Sequence, residues 1–327
     1  MYTIDGLIPL REKDLDLVHQ VIDANIATLD GLGLSEYVRI MDGTEAQKVF
    51  PDIKIKDIVT PEGESLGDIN RVLYLPAGGA TIDPYLLTMA YAKRASAMGV
   101  KIRTKIEVLD IIVEAGKITG VETNRGKIKC DTVICAAGPW TAKIGKMAGV
   151  DIPITPHRCS LLKVMPLEKK NYPTKFFYFD AAESLTGRGS LWLHEERSGG
   201  FSGGPDMDEY GTMASHIVDP DDYNQNYTFD DVISFADKME KFIPGFGEFE
   251  VIDGWAKAFA CVYDGNNIID RLDNPEGLII CSGDCGEGIS ASAGVGLLTS
   301  ELVVDGKIST IENAQYCAFN NQRFPTS

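Results

Sequence analysis

Residues 278–304 read LIICSGDCGEGISASAGVGLLTSELVV. The apolar run Leu278 to Cys281 is typical of a short buried strand, and the pattern after it predicts a helix from about Ala291 to Val304. Between them, Gly283 to Gly288 holds three glycines in six residues. Such glycines let a backbone approach a ligand closely, and the amides that begin a helix favour an anion or an electron-rich oxygen. A glycine turn after a buried strand is most often only a turn, so this pattern alone leaves both interpretations open.

A second junction of the same type lies upstream. Thr132 to Ala136 predicts a buried strand that runs into the turn Ala136-Ala137-Gly138. Before it, Asp83-Pro84 and Gly99 have the residue types that begin and end a helix, and Val100 to Arg103 is predicted as the next strand. The apolar residues of that helix are predicted to form its buried face: Leu86, Leu87, Met89, Ala90 and Ala95.

The remaining pattern divides between an antiparallel meander and a second domain. Glycine turns separate the meander strands Val108 to Val113, Lys117 to Thr123 and Lys127 to Ile128. The second domain is predicted from aromatic-rich strands at Phe176–Phe179, Leu191–His194 and Gly199–Gly204, and from an amphipathic helix at Phe229–Ile243. Two further helices are predicted, over Asp14–Leu32 and from Thr44, where Thr44 and Gln47 are spaced as a capping box.

Composition excludes several classes of function. The 327 residues include 48 acidic and 31 basic side chains, for a formal net charge of −17, which disfavours nucleic acid and an anionic membrane surface as partners. The chain has no apolar run long enough to span a membrane and no recognisable signal peptide. Seven cysteines without a C-x-x-C and four scattered histidines favour reduced thiols, a cytoplasmic location and no metal site.

Taken in order, these segments resemble the FAD-dependent oxidoreductases of the D-amino-acid oxidase and sarcosine oxidase family. The stretch Ala260-Cys261-Val262-Tyr263 is most similar to the monomeric sarcosine oxidase branch. The motifs that carry the resemblance are Gly78-Gly79 with Ile82-Asp83-Pro84, Gly99-Val100, Ile118-Thr119-Gly120-Val121, Asp131 to Trp140 (DTVICAAGPW), Pro153, Pro156 and Arg158, Trp255-Ala256, Asp264-Gly265-Asn266, Ile268-Ile269-Asp270, and Gly283 to Gly296.

The resemblance implies a mixed α/β (α+β) fold class. The remainder of an FAD/NAD(P)-binding Rossmann-like domain would comprise residues 72–150 and 263–312. An antiparallel-sheet substrate or cap domain would comprise residues 1–71 and 151–262.

The resemblance also implies the residues that touch FAD. Val108 matches a position whose backbone contacts the adenine end, and Cys261 matches the cysteine that carries covalent flavin in the sarcosine oxidase branch, although a small buried apolar role is the commoner one for cysteine. The other positions flank the flavin ring: Ala136, Ala137, Gly138, Gly283, Asp284, Cys285, Gly286, Glu287, Gly288, Ile289 and Ser290.

The implied reaction is oxidation of the C–N bond of a secondary amine or amino acid by hydride transfer to the flavin, followed by hydrolysis of the imine. His194 and Lys257 are the candidate catalytic residues, against the commoner roles of a hydrogen-bonded structural histidine and a solvated lysine. Three positions depart from the family. Phe259 stands where amino-acid oxidases have an arginine, Ser290 where the sarcosine oxidase branch has a lysine, and Glu287 where a histidine is usual.

The largest departure concerns the first βαβ unit, whose G-x-G-x-x-G loop holds the FAD pyrophosphate in this family. Gly31-Leu-Gly33 follows a predicted helix rather than a strand, and Gly294-Val-Gly296 lies in one. The sequence beginning at an internal methionine is the favoured explanation. A second chain that supplies the unit, and a loss of FAD binding, remain open. The competing hypotheses are a flavin-free or partner-dependent subunit and an unrelated α/β protein. An exposed sheet edge would make the isolated chain oligomerise or precipitate.

Overall fold

The computed structural model describes residues 2–11, 23, 26–27, 30–31, 33, 35–59, 65–172, 176–179, 191–196, 199–205, 217–320 and 323–324. The predicted helix over 14–32 therefore lies largely outside the described residues, although 23, 26–27 and 30–31 are helical. The chain divides into two compact units. Unit 1 comprises Met1–Asp83, Cys159–His216 and Asn224–Lys257, and unit 2 comprises Pro84–Arg158, Ile217–Tyr223 and Ala258–Ser327.

The strands in chain order are β1 (Tyr2–Arg11), β2 (Arg39–Met41), β3 (Ile58–Val59), β4 (Ser65–Gly67), β5 (Ile69–Thr81), β6 (Val108–Glu114), β7 (Lys117–Thr123), β8 (Gly126–Lys129), β9 (Val133–Cys135), β10 (Thr155–Pro166), β11 (Phe176–Phe179), β12 (Leu191–Glu195), β13 (Phe201–Pro205), β14 (Phe249–Cys261), β15 (Ile268–Arg271) and β16 (Leu278–Ser282). The α-helices are α1 (Gly43–Val49), α2 (Pro84–Ala97), α3 (Thr141–Met147), α4 (Phe229–Phe242) and α5 (Gly288–Val304). The predicted mixed α/β fold class is confirmed.

Unit 1 is built on an eight-stranded sheet with the order β14-β10-β13-β12-β11-β1-β5-β2. β1 and β11 run parallel, whereas β12 pairs antiparallel with both β11 and β13. Helix α4 begins in a capping box between Thr228 and Asp231, and it buries Phe235, Met239 and Phe242 in the core of this unit. The amphipathic helix and the aromatic strands predicted for this region are thereby confirmed.

Unit 2 contains the three-stranded sheet β15-β16-β9 and the antiparallel meander β6-β7-β8. β16 is parallel to β9 and antiparallel to β15. Because side chains alternate along a strand, the two faces of β16 enter different clusters. Leu278 and Ile280 pack in the cluster that includes Ile118 of the meander, and Ile279 packs with Leu298 and Leu302 of α5. The continuous apolar run therefore marks a strand that is buried on both faces.

Helix α2 corrects one prediction. The helix forms, and Gly99, with φ of +96°, follows its last turn as predicted. None of the residues of α2 is buried, however: Leu86 is 63% exposed and Met89 is 47% exposed. The sequence pattern correctly predicts an apolar face, but no part of the described chain covers it.

Two further predictions are wrong in detail. Residues 100–103 do not form a strand and are exposed, because in the described part of the chain no strand pairs with them. Helix α1 starts at Gly43 with Asp42 as its cap, and the Asp42 carboxylate accepts from the Glu45 amide at 2.8 Å. The cap therefore precedes the predicted Thr44, since a carboxylate two residues earlier already satisfies the first-turn amide.

Candidate functional site

Two glycine turns of unit 2 lie at the same edge of its parallel strands. β9 leads into Ala136-Ala137-Gly138, and β16 leads into residues 283–287. Because β9 and β16 run parallel, with Ile280 opposite Cys135, their carboxyl ends lie side by side. Ligands of open α/β sheets bind at this edge. The structure thus brings together the two turns that the sequence singled out separately.

A buried hydrogen-bond chain joins the two turns. The Thr141 hydroxyl donates to Ser282 Oγ at 2.8 Å, and the Ser282 hydroxyl donates to the Gly138 carbonyl oxygen at 3.3 Å. Thr141 is fully buried in the first turn of α3, and Ser282 is the last residue of β16. The spacing between the turns is therefore fixed by side chains that sequence reasoning did not identify, because they are 141 residues apart.

The loop after β16 is held tightly against the end of β14. The amide of Cys285 donates to the carbonyl oxygen of Ala260 at 3.1 Å. Gly283 has φ of +86°, and a Cβ placed on it would collide with Cγ2 of Val262. Cys285 itself has φ of +47°, a conformation that costs a non-glycine residue free energy. The loop is thus strained and closely packed, which is frequent at ligand sites.

Helix α5 directs its N-terminus to the same edge. It is 17 residues long, and Glu287 precedes it without capping it through its side chain. The Ser290 hydroxyl donates to Glu287 Oε2 at 2.8 Å. The first amides of a helix have no partner within the helix, so they and the positive end of its dipole favour negative charge. Ile289 is 44% exposed beside them.

The turns leave room for a flat group. A Cβ on Gly138, Gly294 or Gly296 would have no neighbour within 4 Å, so the backbone at these positions is open. A Cβ on Gly288 would instead collide with the Asp284 carboxylate. This open backbone beside a helix N-terminus fits the ring end of FAD.

Cys261 and Cys285 lie next to each other. Cys261 ends β14 and is 1% exposed, whereas Cys285 is half-buried. A hydrogen bond from the Cys261 thiol is the main cause that lowers the pKa of Cys285; burial opposes it, and the Val262 amide, which donates to Cys285 Sγ at 3.3 Å, adds to it. Covalent attachment of flavin at Cys261 stays a prediction.

The predicted adenine contact Val108 begins β6. Its side chain packs against the same apolar cluster as Ala137 and Cys285, so the structure places it in the unit that carries the glycine turns. Its contact with FAD stays a prediction.

The two candidate catalytic residues lie in unit 1 and have local partners. His194 Nε2 is 3.2 Å from Glu196 Oε1, and the His194 ring stacks on Trp192 with the ring centroids 5.7 Å apart. Burial lowers the pKa of His194, and Glu196 opposes this effect. Lys257 is exposed and donates to Gln225 Oε1 at 3.0 Å. Their catalytic roles stay predictions.

Two charged networks were not anticipated. Lys143 pairs with Asp219 at 2.6 Å and with Asp221, and Asp221 also accepts from Trp140 Nε1 at 2.6 Å. These side-chain hydrogen bonds raise the pKa of Lys143 and lower that of both carboxyls. The network ties the chain that follows Gly138 to the segment 219–221. Distance in sequence hid it, because no local pattern links residue 143 to residue 219.

The second network anchors the turn after β14. Arg323 is 8% exposed and binds Asp264 through two nitrogens, at 2.7 and 2.9 Å. Its guanidinium also donates to the carbonyl oxygens of Asn266 and Asn267. The contribution of Arg323 lowers the pKa of Asp264 despite burial. The family-like Asp264-Gly265-Asn266 motif is thus a turn held by an arginine near the C-terminus.

Other ligand classes find less support within the described ranges. There, no group of three or more His, Cys, Asp or Glu side chains is placed to hold a metal ion. None of the helices that the structure describes has the length and apolar character needed to cross a membrane.

The fold and the paired glycine turns are those of a flavin-type oxidoreductase. A family model described as FAD dependent oxidoreductase (DAO) matches residues 1–302, and the chain belongs to this family. The resemblance inferred from sequence is confirmed, and FAD is the cofactor of the family.

Individual relatives are similar over most of this chain. It is 27% identical over 230 residues to the sarcosine oxidase subunit beta of Rhizobium meliloti (strain 1021), which covers 70% of this chain and 50% of that protein. It is 24% identical over 279 residues to the monomeric sarcosine oxidase of Bacillus sp. (strain B-0618), which covers 83% of this chain and 64% of that protein. The chain therefore spans between half and two thirds of the length of these two curated relatives.

Solved structures share the fold. The L-proline dehydrogenase from P. horikoshii superposes with a TM-score of 0.74 at 22% identity, over 96% of this chain and 75% of that one. The glycine oxidase from Geobacillus kaustophilus superposes with a TM-score of 0.70 at 17% identity, over 97% and 75%.

Proposed function

We propose that this chain forms the flavin-ring side of an FAD-dependent oxidoreductase that oxidises the C–N bond of a secondary amine or amino acid. The observation that carries the proposal is the joining of two glycine turns at the carboxyl ends of β9 and β16 by Thr141 and Ser282, with the N-terminus of α5 at the same edge. Family membership and the sarcosine oxidase relatives support this reaction class.

The residues of the two turns would hold the cofactor by backbone contact. When bound, FAD would supply the ring that takes a hydride from the carbon next to the amine nitrogen. The open backbone at Gly138 and Gly294 would admit that ring, and the amides that begin α5 would favour the negative charge it gains. Glu287 would oppose this effect, since its carboxylate adds negative charge at the same helix end.

Substrate choice is proposed from two features. Phe259 lies against the loop, because a Cβ on Gly286 would be 3.3 Å from its ring. An apolar ring at this position offers no ion pair to a carboxylate, which favours an amine whose carboxylate, if any, binds elsewhere. Lys257 is the proposed cation for such a carboxylate, and its only recorded hydrogen bond, to the neutral amide of Gln225, leaves its charge unneutralised. His194, kept neutral by burial, is proposed to accept a hydrogen bond from the substrate.

We further propose that a βαβ dinucleotide-binding unit, on the same polypeptide or on a partner chain, completes the site. β9 is at the end of its three-stranded sheet, and Ile134 on it is 46% exposed. The apolar residues of α2 are also exposed, as is Leu297 of α5 at 47%. Exposed apolar area of this extent marks an interaction surface.

The first experiment is a visible absorption spectrum of the purified chain, repeated after acid precipitation. A flavin band that stays with the pellet supports covalent attachment and points to Cys261. A band released into the supernatant supports non-covalent FAD. Anaerobic bleaching by sarcosine, proline or another secondary amine then tests the reaction. Absence of a band in the presence of added FAD favours the alternative, a flavin-free or partner-dependent subunit.

The second experiment tests the exposed face of α2. Without its covering unit the chain should self-associate, which light scattering measures. Met89→Glu should reduce the association and change the free energy of unfolding by less than about 0.5 kcal/mol, since the side chain is 47% exposed. Lys93→Glu, on the same helix, is the control for added negative charge alone. A monomeric wild-type chain would contradict the proposed interaction surface.

A further inference from the structure

We propose that Cys261 and Cys285 form a reactive thiol pair that a peroxide oxidises to an intramolecular disulfide, with Cys285 as the thiol that attacks the peroxide. This proposal is independent of the function proposed above, since it concerns two sulfur atoms of the chain and an external oxidant.

Backbone hydrogen bonds place the two cysteines opposite each other. The Cys285 amide donates to the carbonyl oxygen of Ala260, and the Val262 amide donates to Cys285 Sγ at 3.3 Å. These two bonds lie on either side of Cys261, as the bonds of a strand neighbour would. Adjacent strands are about 4.7–4.9 Å apart. Disulfides span Cα atoms that are roughly 4.4–6.8 Å apart, so a bond between the two sulfurs needs little backbone movement.

The side chains already interact. The Cys261 thiol hydrogen-bonds to Cys285, and the same contact contributes to the lowered pKa of Cys285. Burial instead raises the pKa of three other thiols, those of Cys130, Cys135 and Cys317. A thiolate, rather than a thiol, is the nucleophile in these reactions, so Cys285 should react before those three.

Exposure assigns the two roles within the pair. Cys285 is half-buried on a loop with φ of +47°, whereas Cys261 is 1% exposed. A peroxide therefore reaches Cys285 first, and Cys261 is positioned to resolve the product. A low-pKa, accessible thiol beside a resolving cysteine is the arrangement of redox-sensitive sites.

The chemistry balances in two steps. The Cys285 thiolate attacks one oxygen of hydrogen peroxide, the O–O bond breaks, and hydroxide leaves and takes up a proton to form water. The Cys261 thiol then attacks the sulfur of the resulting sulfenic acid, the S–S bond forms, and a second water leaves. In total, two thiols lose two electrons and two protons, and one peroxide is reduced to two waters.

The disulfide would have a structural effect on the candidate site. It would tie the loop that begins at Gly283 covalently to the end of β14. It would also occupy the sulfur of Cys261, so that covalent flavin and the disulfide exclude each other on one chain.

The test is peroxide treatment of the purified full chain, followed by denaturing alkylation and peptide mapping by mass spectrometry. Two of the seven thiols should become protected, and one peptide pair linked through residues 261 and 285 should appear with the mass of two hydrogen atoms lost. Dithiothreitol should reverse the change. In Cys261→Ala the sulfenic acid should persist at Cys285 and be trapped by dimedone. In Cys285→Ala the linked peptide should be absent and Cys261 should stay alkylatable.

Cys130→Ala is the matched control, because Cys130 is also half-buried but has a raised pKa; it should form the linked peptide as the wild type does. Three results would overturn the proposal: no linked peptide in the wild type, dimedone trapping at Cys130 or Cys317 as readily as at Cys285, or Cys261 already blocked by flavin. The wild-type mapping decides the matter even if a variant fails to fold.

Discussion

Gly283→Ala offers the sharpest test of how the candidate loop is held. Gly283 has φ of +86°, and the added Cβ would collide with Cγ2 of Val262, a side chain that is 1% exposed. The left-handed backbone costs an alanine about 1–2 kcal/mol. Forcing an extra carbon into a packed core costs a further ~1–3 kcal/mol. We expect the variant to lose roughly 2–5 kcal/mol of unfolding free energy, the sum of the two costs.

Gly265→Ala separates the two costs. Gly265 has φ of +71°, lies in the turn that follows β14, and has no atom within 4 Å of an added Cβ. It should therefore lose only the backbone cost of about 1–2 kcal/mol. The difference between the two variants measures the collision with Val262. In the double variant Gly283→Ala, Val262→Ala this difference should shrink, since the colliding methyl group is gone.

Urea unfolding of unit 2 is the assay. The chain has three tryptophans, and only Trp140 belongs to unit 2. In a background with Trp192→Phe and Trp255→Phe, fluorescence therefore reports the unfolding of unit 2 alone. Equal losses in the two glycine variants would refute the close packing of Gly283 against β14. A loss in Gly283→Ala below about 1 kcal/mol would refute the left-handed backbone as well.

Three other perturbations test the hydrogen bonds and charges. Tyr172→Phe removes a hydroxyl that donates to Asp52 Oδ2 at 2.7 Å, and urea unfolding should show a loss of about 1–3 kcal/mol. Thr141→Val removes the buried donor to Ser282, and unit 2 should lose ~1–2 kcal/mol in the single-tryptophan background, unlike an exposed Thr→Val change. Burial lowers the pKa of His194 below its ordinary value of about 6.5, so the unfolded state binds its proton more tightly. The stability that neutral His194 contributes is present above that value and lost as pH falls, so wild type should lose more stability between pH 8 and pH 5, roughly one unit either side of the titration, than His194→Gln does.

Local patterns predicted the elements that build the site. The apolar run at Leu278 and the three glycines after it correspond to β16 and its loop, because buried strands and positive φ angles leave residue types that can be read in sequence. The meander was predicted for the same reason, since its turns contain Gly116 and Gly126, both with positive φ. Helix α5 begins three residues earlier than predicted, at Gly288, because the pattern detects apolar periodicity and not the first turn.

What the sequence did not predict depends on partners that are distant in the chain. Arg323 and Asp264 are separated by 59 residues, and nothing near either of them predicts a bidentate pair. The pairing of Cys285 with Cys261 likewise arises only when the loop folds back on β14. The buried face predicted for α2 was wrong for a different reason, because apolar periodicity shows that a face should be covered and does not show what covers it.

β9 connects the exposed face to the candidate site. Ile134 is exposed while its neighbour Cys135 is buried, so β9 has the residue pattern of an interior strand at an edge position. A strand added in parallel beside it would cover Ile134 and would end at the same edge as the Ala137–Gly138 turn, because parallel neighbours place their carboxyl ends together. One addition would thus both bury the apolar edge and supply a second backbone turn to the ligand. Self-association of the isolated chain and weak retention of FAD would therefore have a single structural cause, and a partner that removes one should remove the other.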